Sequence, residues 1–201
     1  MTEIRNICVY CGSGPGTDPS FINAAHTFGA IMAESHVRLI YGGGSVGLMG
    51  AVAASVLAKG GQATGIIPEF LAGKERPMVD VQELIVTRDM HERKRIMFER
   101  SDAFVALPGG IGTLEELVEQ LTWAQLGRHK KPILIANING FWDPLRALLD
   151  HMKELAFIHT ANNVNLLCAD HVEEILPMLR KAARRVSEAE KLMEAGTAER
   201  L

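Results

Sequence analysis

The strongest constraint on the fold of this chain is the segment Pro108-Gly109-Gly110-Ile111-Gly112-Thr113-Leu114-Glu115-Glu116. It follows the apolar run 103–107 and precedes the amphipathic segment 114–126, so it predicts a strand, a glycine turn and a helix. Glycines leave the backbone N–H groups free to close on an oxyanion, and a helix beginning at Thr113 points its positive dipole end there. We therefore predict a phosphate site; the alternative is a tight turn that needs glycine for geometry alone.

The rest of the chain alternates short apolar runs with amphipathic segments. The predicted strands are 4–10, 38–41, 62–67, 83–87, 103–107, 133–137 and 164–168. The predicted helices are 20–34, 48–59, 89–100, 113–126, 143–156 and one from 171, capped by Asp170, to beyond 185. Continuous apolar runs, as opposed to alternating ones, are typical of parallel strands covered on both faces.

The predicted fold is α/β: a Rossmann-like doubly wound parallel sheet in a single domain, residues 1–186. The end of the C-terminal helix and a tail, frayed after Glu194, make up 187–201. Parallel strands place their following loops at one edge of the sheet, where such folds bind ligands. That edge should therefore hold the glycine loops 12–16, 42–47 and 109–112.

Composition indicates a globular protein that binds neither nucleic acid nor a membrane. Of 201 residues, 47% are hydrophobic and 22% charged, as in ordinary globular domains, and the formal net charge of −3 argues against a nucleic-acid partner. No apolar run reaches the roughly 20 residues of a membrane span, and residues 1–6 show no signal-peptide pattern. We expect a cytoplasmic protein with a small-molecule partner and no membrane contact.

No metal or redox site is predicted. Cys8 and Cys11 have the spacing of a redox or zinc pair, but positions three apart along a strand point to opposite faces. His91-Glu92 begins a zinc-protease pattern whose second histidine is absent, since position 95 is Arg.

Two glycine patterns bear on the choice of nucleotide. Gly42-x-Gly44-x-x-Gly47 matches the dinucleotide fingerprint, and Glu69 stands near the expected distance for a ribose-binding acid. The Gly42–Gly47 pattern, however, follows the second predicted strand and not the first. A dinucleotide would also not need a second glycine loop at 109–112. The sequence has no Gly-x-x-x-x-Gly-Lys-Ser/Thr motif. A mononucleotide held between two loops fits better.

Arg93 and Glu116 are the candidate catalytic residues. Each lies near the start of a predicted helix at the ligand edge of the sheet, so both can reach one pocket. The alternatives are that Arg93 belongs to a solvated basic helix face and that Glu116 only complements the helix dipole.

Four blocks carry a family resemblance: Tyr41-Gly42-Gly43-Gly44-Ser45-Val46-Gly47-Leu48-Met49-Gly50, Met90-His91-Glu92-Arg93-Lys94, the segment Pro108–Glu116, and Leu121-Thr122-Trp123-Ala124-Gln125-Leu126-Gly127. In this order they resemble the LONELY GUY (LOG) family of cytokinin riboside 5′-monophosphate phosphoribohydrolases. The resemblance spans roughly residues 4–180. The same glycine motif has carried the label lysine decarboxylase, but no pyridoxal-phosphate lysine motif is recognisable here.

The resemblance implies hydrolysis of the N-glycosidic bond of N6-substituted adenosine 5′-monophosphates, and of AMP as a further candidate, giving free base and ribose 5-phosphate. The implied catalytic residues are Arg93 and Glu116, and no cofactor is implied. The full set of candidate substrate-binding residues is Ser13, Gly43, Gly44, Gly47, Glu75, Met90, Lys94, Gly109, Gly110, Ile111, Gly112, Thr113, Leu114, Glu115 and Thr122.

The chemistry agrees with this resemblance. Ribosyl C–N cleavage passes through an oxocarbenium-like state, which a carboxylate can stabilise while it orients or deprotonates water. A nucleotide-binding or carrier domain on the same fold is the alternative, and it would need neither Arg93 nor Glu116. The resemblance also implies a homodimer, to which Leu121, Trp123 and Leu126 would add apolar surface unless Trp123 is simply core.

Overall fold

The computed structural model describes residues 3–72, 78, 80–158 and 165–198, with side chains as far as 188. Within these residues one sheet contains seven parallel strands. They are β1 (Asn6–Tyr10), β2 (Arg38–Tyr41), β3 (Ala63–Pro68), β4 (Glu83–Thr87), β5 (Ala103–Ala106), β6 (Ile133–Ala136) and β7 (Leu166–Ala169). The helices are α1 (Pro19–Glu34), α2 (Gly47–Ala58), α3 (Glu69–Ala72), α4 (Met90–Glu99), α5 (Ile111–Gln125), α6 (Asp143–Glu154) and α7 (Val172–Ala198), with a 3₁₀ turn at Ile138–Gly140.

The strand order is β4-β3-β2-β1-β5-β6-β7. The chain builds outward from β1 to β4, then crosses to the other side of β1 and builds outward again from β5. The order therefore reverses between β1 and β5, where Val9 lies opposite Val105. A crevice forms outside the carboxyl ends of strands at such a point. The doubly wound parallel fold is confirmed.

The two faces of the sheet support separate cores. Alternate residues of β1 divide between them: Ile7 and Val9 pack with α1, α2 and α7, whereas Cys8 and Tyr10 pack with α4 and α5. Cys11 joins the first core, so the two cysteines do point to opposite faces, as the strand geometry predicted. Burial raises the pKa of both thiols, which keeps them protonated.

Several element boundaries differ from the sequence prediction. The helix after the glycine motif begins at Ile111, two residues early, because Gly110 in an extended conformation serves as its N-cap. Pro68 is the last residue of β3, one residue beyond the predicted end of this strand. The polar connection after it contains the short helix α3.

The C-terminal segment differs as well. α7 continues beyond Glu194, where the prediction was a frayed tail, to Ala198. The Asp170 carboxylate, predicted to cap this helix, accepts a hydrogen bond from the Asn137 side chain at 3.0 Å, and Glu174 accepts one from the His171 N–H. Among the described helices, none is long and apolar enough to cross a membrane.

Candidate active site

The three glycine loops meet at the crevice between β1 and β5. The N–H of Gly12 donates to the Pro108 carbonyl at 3.0 Å, which ties the first loop to the third. The Gly12 carbonyl accepts from the N–H groups of Leu48 and Met49, at 3.0 and 3.3 Å, which ties the first loop to the start of α2. Loops from three separate parts of the chain thus form one surface.

Glycine is required where these loops touch. Gly47 has φ of +61°, and a Cβ there would overlap the Ser13 carbonyl. At Gly109 a Cβ would overlap the Thr113 side chain and lie 2.8 Å from the Gly12 nitrogen. A side chain at either position would force the loops apart, so both glycines serve close packing of backbone on backbone.

The start of α5 is open to an anion. The first four N–H groups of a helix have no partner within it, and α5 has no side-chain cap. At α1 and α4, by contrast, the carboxylates of Asp18 and Asp89 occupy this position. A phosphate at the start of α5 would supply the missing acceptor and interact favourably with the helix dipole.

The start of α2 is less open than the start of α5, although the sequence predicted a mononucleotide held between the loops 42–47 and 109–112. The Gly12 carbonyl already accepts from the second and third residues of this helix, Leu48 and Met49. The protein itself therefore satisfies part of this helix end. The structure favours α5 over α2 as the phosphate site.

Arg93 lies inside the protein rather than on a solvated helix face. Only 8% of the residue is exposed, and its Nε donates to the carbonyl of Ile66, in the second half of β3, at 3.0 Å. The guanidinium passes so close beneath Gly42 that a Cβ at that position would overlap Nη2. The Sδ atom of Met90 lies 3.7 Å from Nη1 of Arg93. These contacts hold the guanidinium in one place.

Glu116 faces this guanidinium. Its Oε1 lies 3.7 Å from Nη1 of Arg93, and the residue is 9% exposed. Burial raises the pKa of Glu116 to about 7, although the positive charge of Arg93 opposes the shift. A carboxyl with this pKa exchanges its proton near neutral pH, which suits a group that acts on water or on a developing cation.

A second ion pair braces α4 against α5 beside the first. Lys94 Nζ donates to Glu115 at 2.6 Å and to Glu119 at 2.9 Å. Burial by itself lowers the pKa of Lys94, but the hydrogen bonds to both carboxylates outweigh it and the net shift is upward. This network fixes the separation of the helices that carry Arg93 and Glu116.

Most of the predicted site residues converge, but not all. Those at the meeting point of the loops and of α4 with α5 are Ser13, Gly47, Met90, Arg93, Lys94, Gly109, Gly110, Ile111, Gly112, Thr113, Glu115 and Glu116. Gly43 and Gly44 are buried, and Gly43 packs against β3 and β4. Leu114 is partly buried and packs against the core between the sheet and α4 and α5. Glu75 lies outside the described residues.

Thr122 lies away from Arg93 and Glu116, in a groove between α5 and α6, where its hydroxyl donates to the Val118 carbonyl at 2.8 Å.

Three further residues take part in the site, although the sequence did not single them out. Gly12 and Gly42 stood in glycine runs, and Glu119 follows Glu115 by one helical turn, which is the spacing that could have revealed it.

Comparison with known proteins gives a consistent result. A family model described as "Possible lysine decarboxylase" matches residues 49–179. The chain is 45% identical over 180 residues to the probable cytokinin riboside 5′-monophosphate phosphoribohydrolase LOG4 of Oryza sativa subsp. japonica, which covers 90% of this chain and 78% of that protein. It is 41% identical over 182 residues to the cytokinin riboside 5′-monophosphate phosphoribohydrolase LOG3 of Arabidopsis thaliana. This match covers 90% of this chain and 85% of that protein.

Solved structures support the fold. The chain is similar to the molybdenum cofactor binding protein from Rippkaea orientalis, with a TM-score of 0.67 and 23% identity over 90% of this chain and 98% of that one. At this identity the likeness concerns the fold alone.

Proposed function

Because this chain belongs to the LOG family of cytokinin riboside 5′-monophosphate phosphoribohydrolases, we propose that it hydrolyses the N-glycosidic bond of N6-substituted adenosine 5′-monophosphates, and of AMP. The products are the free base and ribose 5-phosphate. The observation that carries the proposal is the buried pair of Arg93 and Glu116 beside the uncapped start of α5. A carrier would need the phosphate site but not the pair.

Three groups divide the work in the proposed reaction. The N–H groups at the start of α5 bind the 5′-phosphate and so set the position of the ribose. The carboxylate of Glu116 stabilises the positive charge that develops on the ribose as the C–N bond breaks, and it orients the attacking water. Arg93, itself anchored by Ile66, fixes the Glu116 carboxylate and the sugar.

The direct test is incubation with AMP and with N6-prenylated AMP, followed by chromatography for the free base. We expect release of base and of ribose 5-phosphate in equal amounts. Tight binding of either nucleotide without release of base would instead make the protein a carrier.

The pH dependence of the reaction should follow Glu116. Its pKa is raised to about 7, so the carboxyl becomes protonated and neutral as the pH falls below that value. A neutral carboxyl cannot stabilise a cation, so we expect kcat/KM to rise with pH through an apparent pKa near 7. The substrate phosphate titrates separately, near pH 6. A kcat/KM that falls through pH 7 would instead assign Glu116 the role of a proton donor.

Gly42→Ala should impair catalysis without unfolding the protein. The new methyl group would occupy the place of the Arg93 guanidinium, which as the end of a flexible side chain can move aside. A displacement of about 1 Å can cost about 10²-fold in rate, so we expect that loss in kcat/KM with little change in the thermal midpoint. Gly14→Ala is the matched control, because a Cβ there meets nothing within 4 Å. Equal activity of the two variants would show that the position of Arg93 does not matter.

We further propose that the protein is a homodimer that pairs through α5 and α6. The groove between these helices has a volume of about 490 Å³ and is lined in part by Leu121, Leu149 and Met152. Val118 on α5 and Leu126 at its C-cap are exposed. Trp123 contributes less than the sequence suggested, because it packs edge-on against Phe98 of its own chain. A specific interface should bury more than about 1,000 Å².

Sedimentation of paired variants tests the dimer. Val118→Glu introduces a charge into the proposed interface and should leave a monomer of 21.9 kDa. Val86→Glu changes another exposed valine, on the edge strand β4, and should remain dimeric. A parent protein that sediments as a monomer at micromolar concentration would contradict the proposal.

We also propose, from the sequence, that the protein is cytoplasmic, and cell fractionation is the test.

A further inference from the structure

A second cavity, of about 590 Å³, lies at the other end of the sheet from the Arg93–Glu116 pair. Its walls are the end of α5, the segment leading into β6, the start of β7 and the middle of α7. Ligands of small size occupy pockets of about 300 to 1,000 Å³, so the volume suits one small molecule. The proposed reaction does not use this cavity.

The lining of this cavity is cationic. Its basic side chains are His129, Lys130, Lys131, Lys181 and Arg185, and no Asp or Glu is found among the described residues that line it. The chain as a whole carries a net charge of −3, so this local excess runs against the overall composition. Such a concentration of one sign of charge in a cavity attracts anions.

Lys181 and Arg185 are the cations most available to a ligand. They stand one helical turn apart on α7, both are exposed, and within the described residues neither has a salt bridge. Lys131 is already engaged, because its Nζ donates to the Phe98 carbonyl at 2.7 Å and lies 4.0 Å from the centre of that ring. Burial lowers the pKa of His129, which leaves this ring uncharged at neutral pH.

Apart from the amides of Gln125 and Asn165, the other side chains that line the cavity are apolar. Ile133, Leu167, Met178 and Val186 provide this surface next to the cations. A bare inorganic anion would leave that surface uncovered, whereas a ligand with an apolar or aromatic body would cover it. The cavity thus combines two sites of different chemistry, one for charge and one for an apolar group.

We propose that this cavity binds a nucleoside diphosphate, with the two phosphoryl groups on Lys181 and Arg185 and the base against Met178 and its apolar neighbours. Two cations at a spacing of one helical turn, about 5.4 Å, can each contact one phosphoryl group of a diphosphate. Since the site lies apart from the start of α5, it is independent of the proposed hydrolysis.

Calorimetry with ADP on the full chain tests this site. We expect Lys181→Ala/Arg185→Ala to weaken ADP binding at least about tenfold, because each lost charge-assisted hydrogen bond corresponds to about that factor or more. The matched control is Arg180→Ala/Arg184→Ala, which removes the same charge at the same spacing from the same helix but outside the cavity. Alanine is a good helix former, so both variants should keep the parent circular dichroism.

Hydrogen exchange with ADP should show protection in 127–133 and 178–186. Equal weakening by the two double variants would mean that ADP responds only to the diffuse charge of α7, and this would overturn the proposal. So would unchanged binding in Lys181→Ala/Arg185→Ala, or an absence of binding by the parent. Pyrophosphate that binds as tightly as ADP would overturn the assignment of the base to the apolar surface.

Discussion

Glu116→Gln is expected to lower kcat about 10²- to 10³-fold while the protein stays folded and still binds the nucleotide. Loss of one preorganised electrostatic group at a reaction centre typically costs this much. The amide keeps the size of the side chain and can still lie 3.7 Å from Arg93, but it brings no negative charge to the developing cation. Single-turnover release of base from AMP and its N6-prenylated form is the measurement.

A matched substitution separates this effect from a general change of charge. Glu99→Gln makes the same chemical change at the exposed end of α4, at the edge of the sheet opposite the pair. It should react at the parent rate, and binding of AMP by both variants should be close to that of the parent. A folded Glu116→Gln with near-parent turnover would remove Glu116 from the mechanism.

The second large effect concerns the 5′-phosphate. We expect the riboside to be hydrolysed about two to four decades more slowly in kcat/KM than its monophosphate. Hydrogen bonds to a charged group are worth about 1.5 to 3 kcal/mol each, so losing two of them costs roughly 3 to 6 kcal/mol. The donors are the N–H groups at the start of α5, which has no side-chain cap.

Kinetics on adenosine against AMP, repeated with the N6-prenylated pair, measure this preference. Ile111→Pro provides a sharper test, because proline at the first position of a helix removes one N–H and leaves the helix intact. The preference for the monophosphate should fall about tenfold in Ile111→Pro. Ile111→Ala keeps the N–H and loses the same exposed side chain, so it should retain the preference. Comparable kcat/KM for riboside and monophosphate in the parent would mean that no phosphate binds here.

The sequence by itself determined the fold class and the ligand edge of the sheet. Apolar runs such as 103–107 are local patterns, and their alternation with amphipathic segments leaves a parallel sheet as the arrangement that buries both faces. The glycine loops then had to meet at one edge. Arg93 and Glu116 could be named as candidates because each lies in the first two turns of a helix after a strand, and the family resemblance then implied their catalytic role.

Only the tertiary structure decided which helix start is open to a phosphate and how Arg93 and Glu116 are placed. From the sequence, the loops 42–47 and 109–112 looked equally able to bind a phosphate. In the structure the Gly12 carbonyl accepts from N–H groups at the start of α2, whereas the start of α5 has no side-chain cap. The need for Gly42 comes from the guanidinium of Arg93, and the raised pKa of Glu116 comes from its burial. Each of these depends on contact between segments far apart in the chain. Local patterns do not contain such contacts, because closing them depends on the packing of the whole sheet and its helices.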